Sequence, residues 1–129
     1  MILVDTSAWI EFLRGTGSPA CERVDHQLGG DIATCHPVRM EVLAGARHET
    51  HLAELRGLLA RASVIPTEAT DFEEAAALFR ACRRQGETVR KLFDCLIAAQ
   101  AIRAGATLLH TDVDFDVLAR HTPLQVEPA

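Results

Sequence analysis

Two carboxylates of this chain follow apolar stretches that have the pattern of buried strands. Asp5 comes directly after the run ILV at residues 2–4, and Asp112 comes directly after the stretch ATLLHT at residues 106–111. A short run of branched apolar residues has no polar side to offer water, so it is typical of a strand inside a parallel sheet. Ligands gather beyond the carboxyl ends of parallel strands, and we therefore expect Asp5 and Asp112 to share one edge of the sheet.

Two further carboxylates lie on helical faces that are otherwise apolar. Asp94 belongs to the most apolar segment of the chain and shares a face with Ile97 and Ala98. Glu41 shares a face with Val38 in the segment HPVRMEVLAGA. Helical residues three or four positions apart are neighbours, so each carboxylate interrupts an apolar stripe. A buried carboxylate is costly without a partner, and each of these two needs a cation, hydrogen-bond donors or a cavity.

Each carboxylate also has an ordinary structural explanation. Asp is common where a strand ends and a helix begins, so Asp5 could simply cap the first helix. Asp94 could pair with Arg90, one helical turn earlier. Four such placements together favour a shared site, because carboxylates held close together need a neutralising cation. Ligands that offer only oxygen suit Mg²⁺ or Mn²⁺, and such ions activate water and neutralise a phosphodiester during in-line attack.

The elements that position these carboxylates are predicted from caps, prolines and glycines. Ser18-Pro19 begins a helix that Gly29-Gly30 ends, and residues 70–73 form a capping box at the start of another helix. The whole chain gives the order β-α-α-β-α-α-β-α-α-β-α-β. Strands separated by helices predict a three-layer α/β/α sandwich with a mainly parallel central sheet. Without a linker or repeat, residues 1–129 are expected to form a single domain.

The bulk composition is that of a globular protein. Hydrophobic residues make up 48% of the chain and charged residues 24%, which is typical of a globular rather than a disordered protein. No apolar run approaches a membrane span, and the N-terminus lacks the pattern of a signal peptide, so a cytoplasmic location is the default expectation. The four cysteines form no Cys-x-x-Cys pair, so we expect free structural thiols rather than a zinc site.

The net charge of −5 argues against binding nucleic acid by bulk attraction, although a local basic surface is possible. The stretch RACRRQGETVRK at residues 80–91 leads directly into the helix of Asp94. Its cations form a candidate RNA-binding rim beside the acidic residues: Arg80, Arg83, Arg84, Arg90 and Lys91. The alternative is a solvated helix face without a role.

Three stretches together resemble a known family. They are MILVDTSAWIEFL, RMEVLAGA and LFDCLIAAQAIRAGATLLHTDVDFD, in that order. The chain is similar over residues 1 to about 120 to the PIN-domain ribonucleases of the VapC toxin type. DTS after an N-terminal strand is moderately specific alone, and it becomes strongly specific when D-x-L-I-A-A and T-x-D-x-D-F follow.

The resemblance implies a PIN-like fold and a metal-dependent endoribonuclease, the toxin of a type II toxin–antitoxin pair. Four residues fall on the family's acidic positions, which hold Mg²⁺ or Mn²⁺: Asp5, Glu41, Asp94 and Asp112. Asp114 falls on an additional acidic position, and Thr6 and Ser7 match hydroxyl groups that line the site, with Ser7 also a candidate helix cap. The implied partners are RNA (tRNA, rRNA or mRNA), a VapB-type antitoxin that inhibits the enzyme, and a second copy in a homodimer that joins a larger toxin–antitoxin complex.

Other functions remain open from the residues alone. A phosphatase of the acidic-pocket type requires Asp-x-Asp after the first strand, but Ser7 stands at the second position. A phosphotransfer receiver requires a Lys at the end of a late strand, whereas Lys91 begins a helix. A non-catalytic PIN-like binding module and a nuclease that acts on DNA are further alternatives, since RNA as substrate rests on the resemblance.

Overall fold

The computed structural model describes residues 1–127, so the last two residues of the predicted 1–129 domain lie outside the described range. The five strands are β1 (Ile2–Val4), β2 (Ile32–Cys35), β3 (Ser63–Ile65), β4 (Thr107–Leu109) and β5 (Gln125–Glu127). The seven helices are α1 (Thr6–Leu13), α2 (Pro19–Gln27), α3 (His36–Ala44), α4 (Glu49–Leu59), α5 (Ala69–Arg84), α6 (Leu92–Ala104) and α7 (Val113–His121). This is the order that the sequence predicts.

All strands belong to one sheet with the order β3-β2-β1-β4-β5, and every pairing in it is parallel. The chain moves from β1 to β3 in one direction across the sheet and then returns to place β4 beside β1. Because parallel crossovers are right-handed, α1–α4 cover one face of the sheet and α5–α7 the other. The predicted three-layer α/β/α sandwich is confirmed, and the reversal of strand order lies between β1 and β4, where open sheets of this type bind ligands.

Helix α6 is the most deeply buried helix of the fold. Its residues 94–101 are all buried, because α6 packs against both α5 and α7 as well as the sheet. Gly105 ends it in the left-handed conformation, with φ of +66°, which glycine adopts at little cost. Asp94 therefore lies in the first turn of a buried and mainly apolar helix, which agrees with the interpretation of its surroundings from sequence.

The start of α5 differs from the prediction. The helix begins at Ala69 with Glu68 as its N-cap residue, and the carboxylate of Asp71 accepts a hydrogen bond of 2.8 Å from the Glu68 N–H. The predicted capping box over residues 70–73 is therefore wrong by two positions. Asp71 is drawn into this role because its carboxylate also binds Arg103 on α6, a contact that the local sequence does not reveal.

The cysteines are free thiols, as expected: Cys35, Cys82 and Cys95 are buried and Cys21 is half-buried. Burial raises the pKa of Cys35 and of Cys95 to about 12, so both thiols stay protonated and behave as small apolar groups. Within residues 1–127, none of the helices is both long and apolar enough to span a bilayer.

Candidate metal centre

The end of β1 is tied to the end of β4 through Asp5 and Ser7. The Asp5 N–H donates to the carbonyl of Leu109 at 2.9 Å, which extends the β1–β4 pairing beyond the strands. The Asp5 carboxylate accepts from the Ser7 N–H at 3.0 Å and from the Ser7 hydroxyl at 2.6 Å, so Asp5 is the N-cap of α1. Ser7 is therefore not the cap that was expected. Its hydroxyl instead accepts from the Thr111 N–H at 3.0 Å and holds the segment after β4 against α1.

Asp112 and Asp114 are placed by the turn that starts α7. Strand β4 ends at Leu109, so Asp112 lies on the connecting segment rather than directly at the strand end as predicted. Its carboxylate caps α7 by accepting from the Asp114 N–H at 3.0 Å. The Asp112 N–H in turn donates to Nδ1 of buried His110 at 3.1 Å. This local network fixes the direction of the Asp112 carboxylate.

Three of the predicted site residues form a compact cluster. One carboxylate oxygen each from Asp94, Asp112 and Asp114 lies within 4.8 Å of the other two. Two oxygens bound to one Mg²⁺ at about 2.1 Å lie about 3.0 Å apart when cis and about 4.2 Å apart when trans, so the three oxygens approach the spacing that a single ion requires.

Asp94 has the carboxylate that most clearly lacks a protein partner. It is 5% exposed, and within residues 1–127 its Oδ2 is a buried oxygen without a hydrogen bond. The proposed ion pair with Arg90 is absent from the described residues because α6 begins at Leu92, so Arg90 precedes the helix and the expected one-turn spacing does not exist. A buried carboxylate without a partner is costly, and a cation at the cluster removes that cost, so the donor set fits a divalent ion.

The electrostatics of the site reflect burial and crowding of like charge. Burial, followed by the charges of Asp5 and Asp112, raises the pKa of Asp94 to about 7, and Lys91 lowers it slightly. Burial also raises the pKa of Asp5, against the opposing effect of the hydrogen bonds from Ser7. A cation bound to these two carboxylates would offset their negative charge, as a proton otherwise does.

Glu41 lies beside Asp5 rather than in the compact cluster. The Thr6 hydroxyl donates a hydrogen bond of 2.7 Å to Oε1 of Glu41, which anchors α3 to the start of α1. The charge of Glu41 contributes to the raised pKa of Asp5, so the two groups are electrostatic neighbours. The charge of Asp5 in turn contributes to the raised pKa of Asp94, so Asp5 interacts electrostatically with both Glu41 and Asp94.

The predicted basic rim divides into two parts. Arg90 turns towards the acidic cluster and pairs with Asp112 and Asp114, at 2.9 Å and 3.1 Å. The other four cations are exposed, and the guanidinium of Arg83 lies 5.6 Å from the centre of the Phe79 ring. The sequence missed this difference, because the partners of Arg90 are more than 20 positions away along the chain. The exposed cations are Arg80, Arg83, Arg84 and Lys91.

Comparison with known proteins places the chain in a family. Residues 2–121 match the PIN domain family. Ribonuclease VapC11 of Mycobacterium tuberculosis (strain ATCC 25618 / H37Rv) is 50% identical over 129 residues, covering 97% of this chain and 96% of the relative. Ribonuclease VapC51 of the same organism is 31% identical over 122 residues, covering 93% of this chain and 86% of the relative.

Solved structures share the fold at lower sequence identity. The DNA-bound VapBC of Salmonella typhimurium superposes with a TM-score of 0.78 at 19% identity, covering 98% of this chain and 96% of the other. VapC20 of Mycobacterium tuberculosis, described as a sarcin-ricin loop cleaving toxin, has a TM-score of 0.69 at 19% identity, covering 99% of this chain and all of the other. The family match, the VapC relatives and the shared fold agree, and the chain belongs to the PIN-domain family, among its VapC ribonucleases.

Proposed function

We propose that this protein is a metal-dependent endoribonuclease that uses Mg²⁺ or Mn²⁺ and acts as the toxin of a toxin–antitoxin pair. The observation that carries the metal requirement is the buried, unpartnered Oδ2 of Asp94 beside the carboxylates of Asp112 and Asp114. The relatives named VapC ribonuclease support RNA as the substrate. The PIN match and these relatives give no support to the phosphatase and receiver alternatives, and the presence of all four expected acidic residues argues against a non-catalytic module.

Each site residue has a role in this proposal. Asp5, Glu41, Asp94 and Asp112 hold the ion, with Asp114 as an additional ligand. When bound, such an ion lowers the pKa of water and neutralises charge on the phosphodiester. Ser7 orients Asp5 through two hydrogen bonds, and Thr6 orients Glu41 through one. Burial of Asp5 and Asp94 keeps competing water away from their carboxylates and strengthens their attraction for a cation.

Asp5→Ala tests the catalytic proposal. The variant is expected to lose RNA cleavage and the growth arrest caused by its expression, because an acidic residue central to the site is gone. Cleavage is measured on total cellular RNA by sequencing the new 5′ ends, which also identifies the substrate. Asp25→Ala is the matched control, since Asp25 is an exposed carboxylate on α2. Full cleavage by Asp5→Ala, or undiminished wild-type cleavage in excess EDTA, would contradict the proposal.

The exposed part of the basic rim is proposed to bind the RNA backbone. Residues 85–91 join the end of α5 to the start of α6. Lys91 directly precedes the helix that carries Asp94, whereas Arg84 lies beside Arg120 and His121 at the end of α7, a helix length from Asp112 at its start. Phosphate contacts by Arg and Lys supply much of the affinity for nucleic acid and make it dependent on salt.

Arg83→Glu combined with Arg84→Glu is expected to weaken RNA binding by about tenfold or more at low salt. Metal affinity should stay unchanged, because neither side chain contacts the acidic residues. Binding is measured by fluorescence anisotropy in the Asp5→Ala background, which prevents cleavage. The control is Arg56→Glu with Arg61→Glu, the same charge change at two exposed positions at and beyond the end of α4 on the other face of the sheet. Equal RNA affinity of the two double variants would exclude a role for the rim.

An antitoxin is the proposed protein partner. The structural neighbours include VapBC toxin–antitoxin complexes from Haemophilus influenzae and Mycobacterium tuberculosis. An acidic site of this kind attracts an Arg side chain, which forms strong charge-assisted hydrogen bonds with carboxylates. We therefore place the C-terminal segment of a VapB-type antitoxin over the acidic residues, as an inhibitor. We further propose that the toxin forms a homodimer within a larger toxin–antitoxin complex, and that it meets RNA and antitoxin in the cytoplasm.

A further inference from the structure

Arg90 occupies part of the site that the divalent ion is proposed to use. Its Nη2 donates to Oδ1 of Asp112 at 2.9 Å, and its Nε donates to Oδ2 and Oδ1 of Asp114 at 3.1 Å and 3.2 Å. Asp112 and Asp114 are two of the three carboxylates in the compact cluster. The third, Asp94, is the one whose Oδ2 lacks a hydrogen bond. The chain therefore pairs two carboxylates of the cluster with one of its own cations and leaves the third without one.

The two sides of this contact are held very differently. Asp112 is fixed as the cap of α7, and Asp114 is almost fully buried, with 4% of its side chain exposed. The Arg90 side chain is 65% exposed, and among residues 1–127 it donates side-chain hydrogen bonds to Asp112 and Asp114. An exposed guanidinium gains little from an ion pair with a carboxylate and can turn into solvent at low cost. When an ion approaches, the arginine is thus the partner that can move.

The position of the backbone does not depend on the side chain of Arg90. Its N–H donates separately to Oδ2 of Asp114 at 3.2 Å, a hydrogen bond that every non-proline substitution at this position retains. Asp114 therefore remains attached to the segment before α6 when the guanidinium is removed. A variant at Arg90 reports on the charge and on the two ion pairs with little disturbance of the fold.

We propose that Arg90 is a built-in competitor of the divalent ion. The guanidinium and the ion exclude each other at Asp112 and Asp114, so the ion binds only as Arg90 releases one or both carboxylates. Two cations that share the same oxygens repel each other, and the oxygen atoms bonded to the guanidinium have fewer lone pairs to offer a metal. Arg90 thereby lowers the affinity of the site for metal and offsets part of the negative charge of the cluster when no metal is bound. This inference rests on the proposed metal-dependent function.

The test is the direct titration of Mn²⁺ and Mg²⁺ into wild type, Arg90→Gln and Arg90→Lys by isothermal calorimetry. We expect Arg90→Gln to bind metal roughly tenfold more tightly than wild type, because both the repulsion and the competition are removed. Arg90→Lys should lie between the two, since Lys keeps the charge but lacks the planar fork that bridges two carboxylates. Arg120→Gln is the matched control, as Arg120 lies on α7 and pairs with Glu87. Its metal affinity should equal that of wild type.

The outcomes separate this inference from the proposed function. If wild type binds metal and Arg90→Gln binds it equally or more weakly, Arg90 is not a competitor, and the metal-dependent nuclease stands. If Arg120→Gln gains as much affinity as Arg90→Gln, the effect is one of net charge and the inference fails. If wild type binds neither ion, both the metal-dependent function and the inference are overturned. A melting curve of each variant without metal establishes that it is folded, and Arg90→Lys carries the test alone if Arg90→Gln does not fold.

Discussion

Asp94→Asn is expected to stabilise the metal-free protein at pH 8 and to remove its stabilisation by Mg²⁺ or Mn²⁺. In the wild type, folding at pH 8 places a charged carboxylate in a buried position where its Oδ2 has no hydrogen bond and other carboxylates surround it. Asparagine has nearly the same shape and carries no charge, so this unfavourable contribution disappears. The same change removes a proposed ligand of the ion, and we expect metal affinity to fall by about 100-fold or more.

The difference between wild type and Asp94→Asn should depend on pH in a defined direction. The pKa of Asp94 rises from 3.8 to about 7 on folding, so between these values the folded protein binds more protons than the unfolded chain. The stability of the metal-free wild type therefore falls as pH rises from about 4 to about 7. Asp94→Asn lacks this contribution. Its gain in stability over wild type should therefore be absent near pH 4 and complete near pH 8. Melting temperatures of both proteins, measured in EDTA across this pH range, give the difference. A difference in melting temperature that does not change with pH would contradict a raised pKa at Asp94.

Asp71→Asn is expected to have the opposite effect and to destabilise the protein by about 2 to 3 kcal/mol at neutral pH. Asp71 is also buried, at 2% exposure, but its carboxylate accepts two hydrogen bonds from Arg103, at 2.8 Å and 2.9 Å. It also accepts the N–H of Glu68 at the start of α5. Asparagine keeps the size of the side chain and loses the charge, so the ion pair that joins α5 to α6 is broken. Urea unfolding of both proteins measures the loss.

The loss of stability caused by Asp71→Asn should also depend on pH in a defined direction. Hydrogen bonds from Arg103 hold the pKa of Asp71 below its ordinary value, so the unfolded chain takes up this proton first as the pH falls. The stabilisation by the ion pair is therefore complete above the pKa of the unfolded chain and is lost on acidification. The difference in free energy of unfolding between wild type and Asp71→Asn should decrease below about pH 4. If this difference instead increases on acidification, the Asp71–Arg103 ion pair is not the source of the stability.

Together the two substitutions distinguish a site residue from a structural residue by the same chemical change. Both replace a buried aspartate with asparagine, and α5 and α6 carry one each. The two substitutions are expected to change stability in opposite directions, because Asp71 has a cationic partner in the protein and Asp94 does not. If both variants were destabilised equally, the carboxylate of Asp94 would have a structural partner and the proposal of a metal at this position would lose its main support.

Local patterns were sufficient to predict the elements of the fold. The twelve elements occur in the predicted order because caps, prolines, glycines and apolar periodicity act within a few residues of one another. The parallel sheet follows from that order, since helices between strands favour crossover connections. The placement of Asp5 was also predictable, because a carboxylate after a buried strand must lie at the sheet edge. The expected capping box of α5 failed because Asp71 is bound by Arg103, which lies 32 positions away.

The sequence by itself determined which elements form, which carboxylates lie in apolar surroundings, and that these carboxylates belong near one edge of the sheet. Only the tertiary structure decided how the charges pair. Arg90 precedes α6 and binds the turn that starts α7, while Asp94 is left without a cation. The Ser7 hydroxyl joins the start of α1 to the segment after β4. The physical reason is that secondary structure follows from neighbours in the chain, whereas the partner of a charge depends on which distant segments the packed fold brings within about 3 Å.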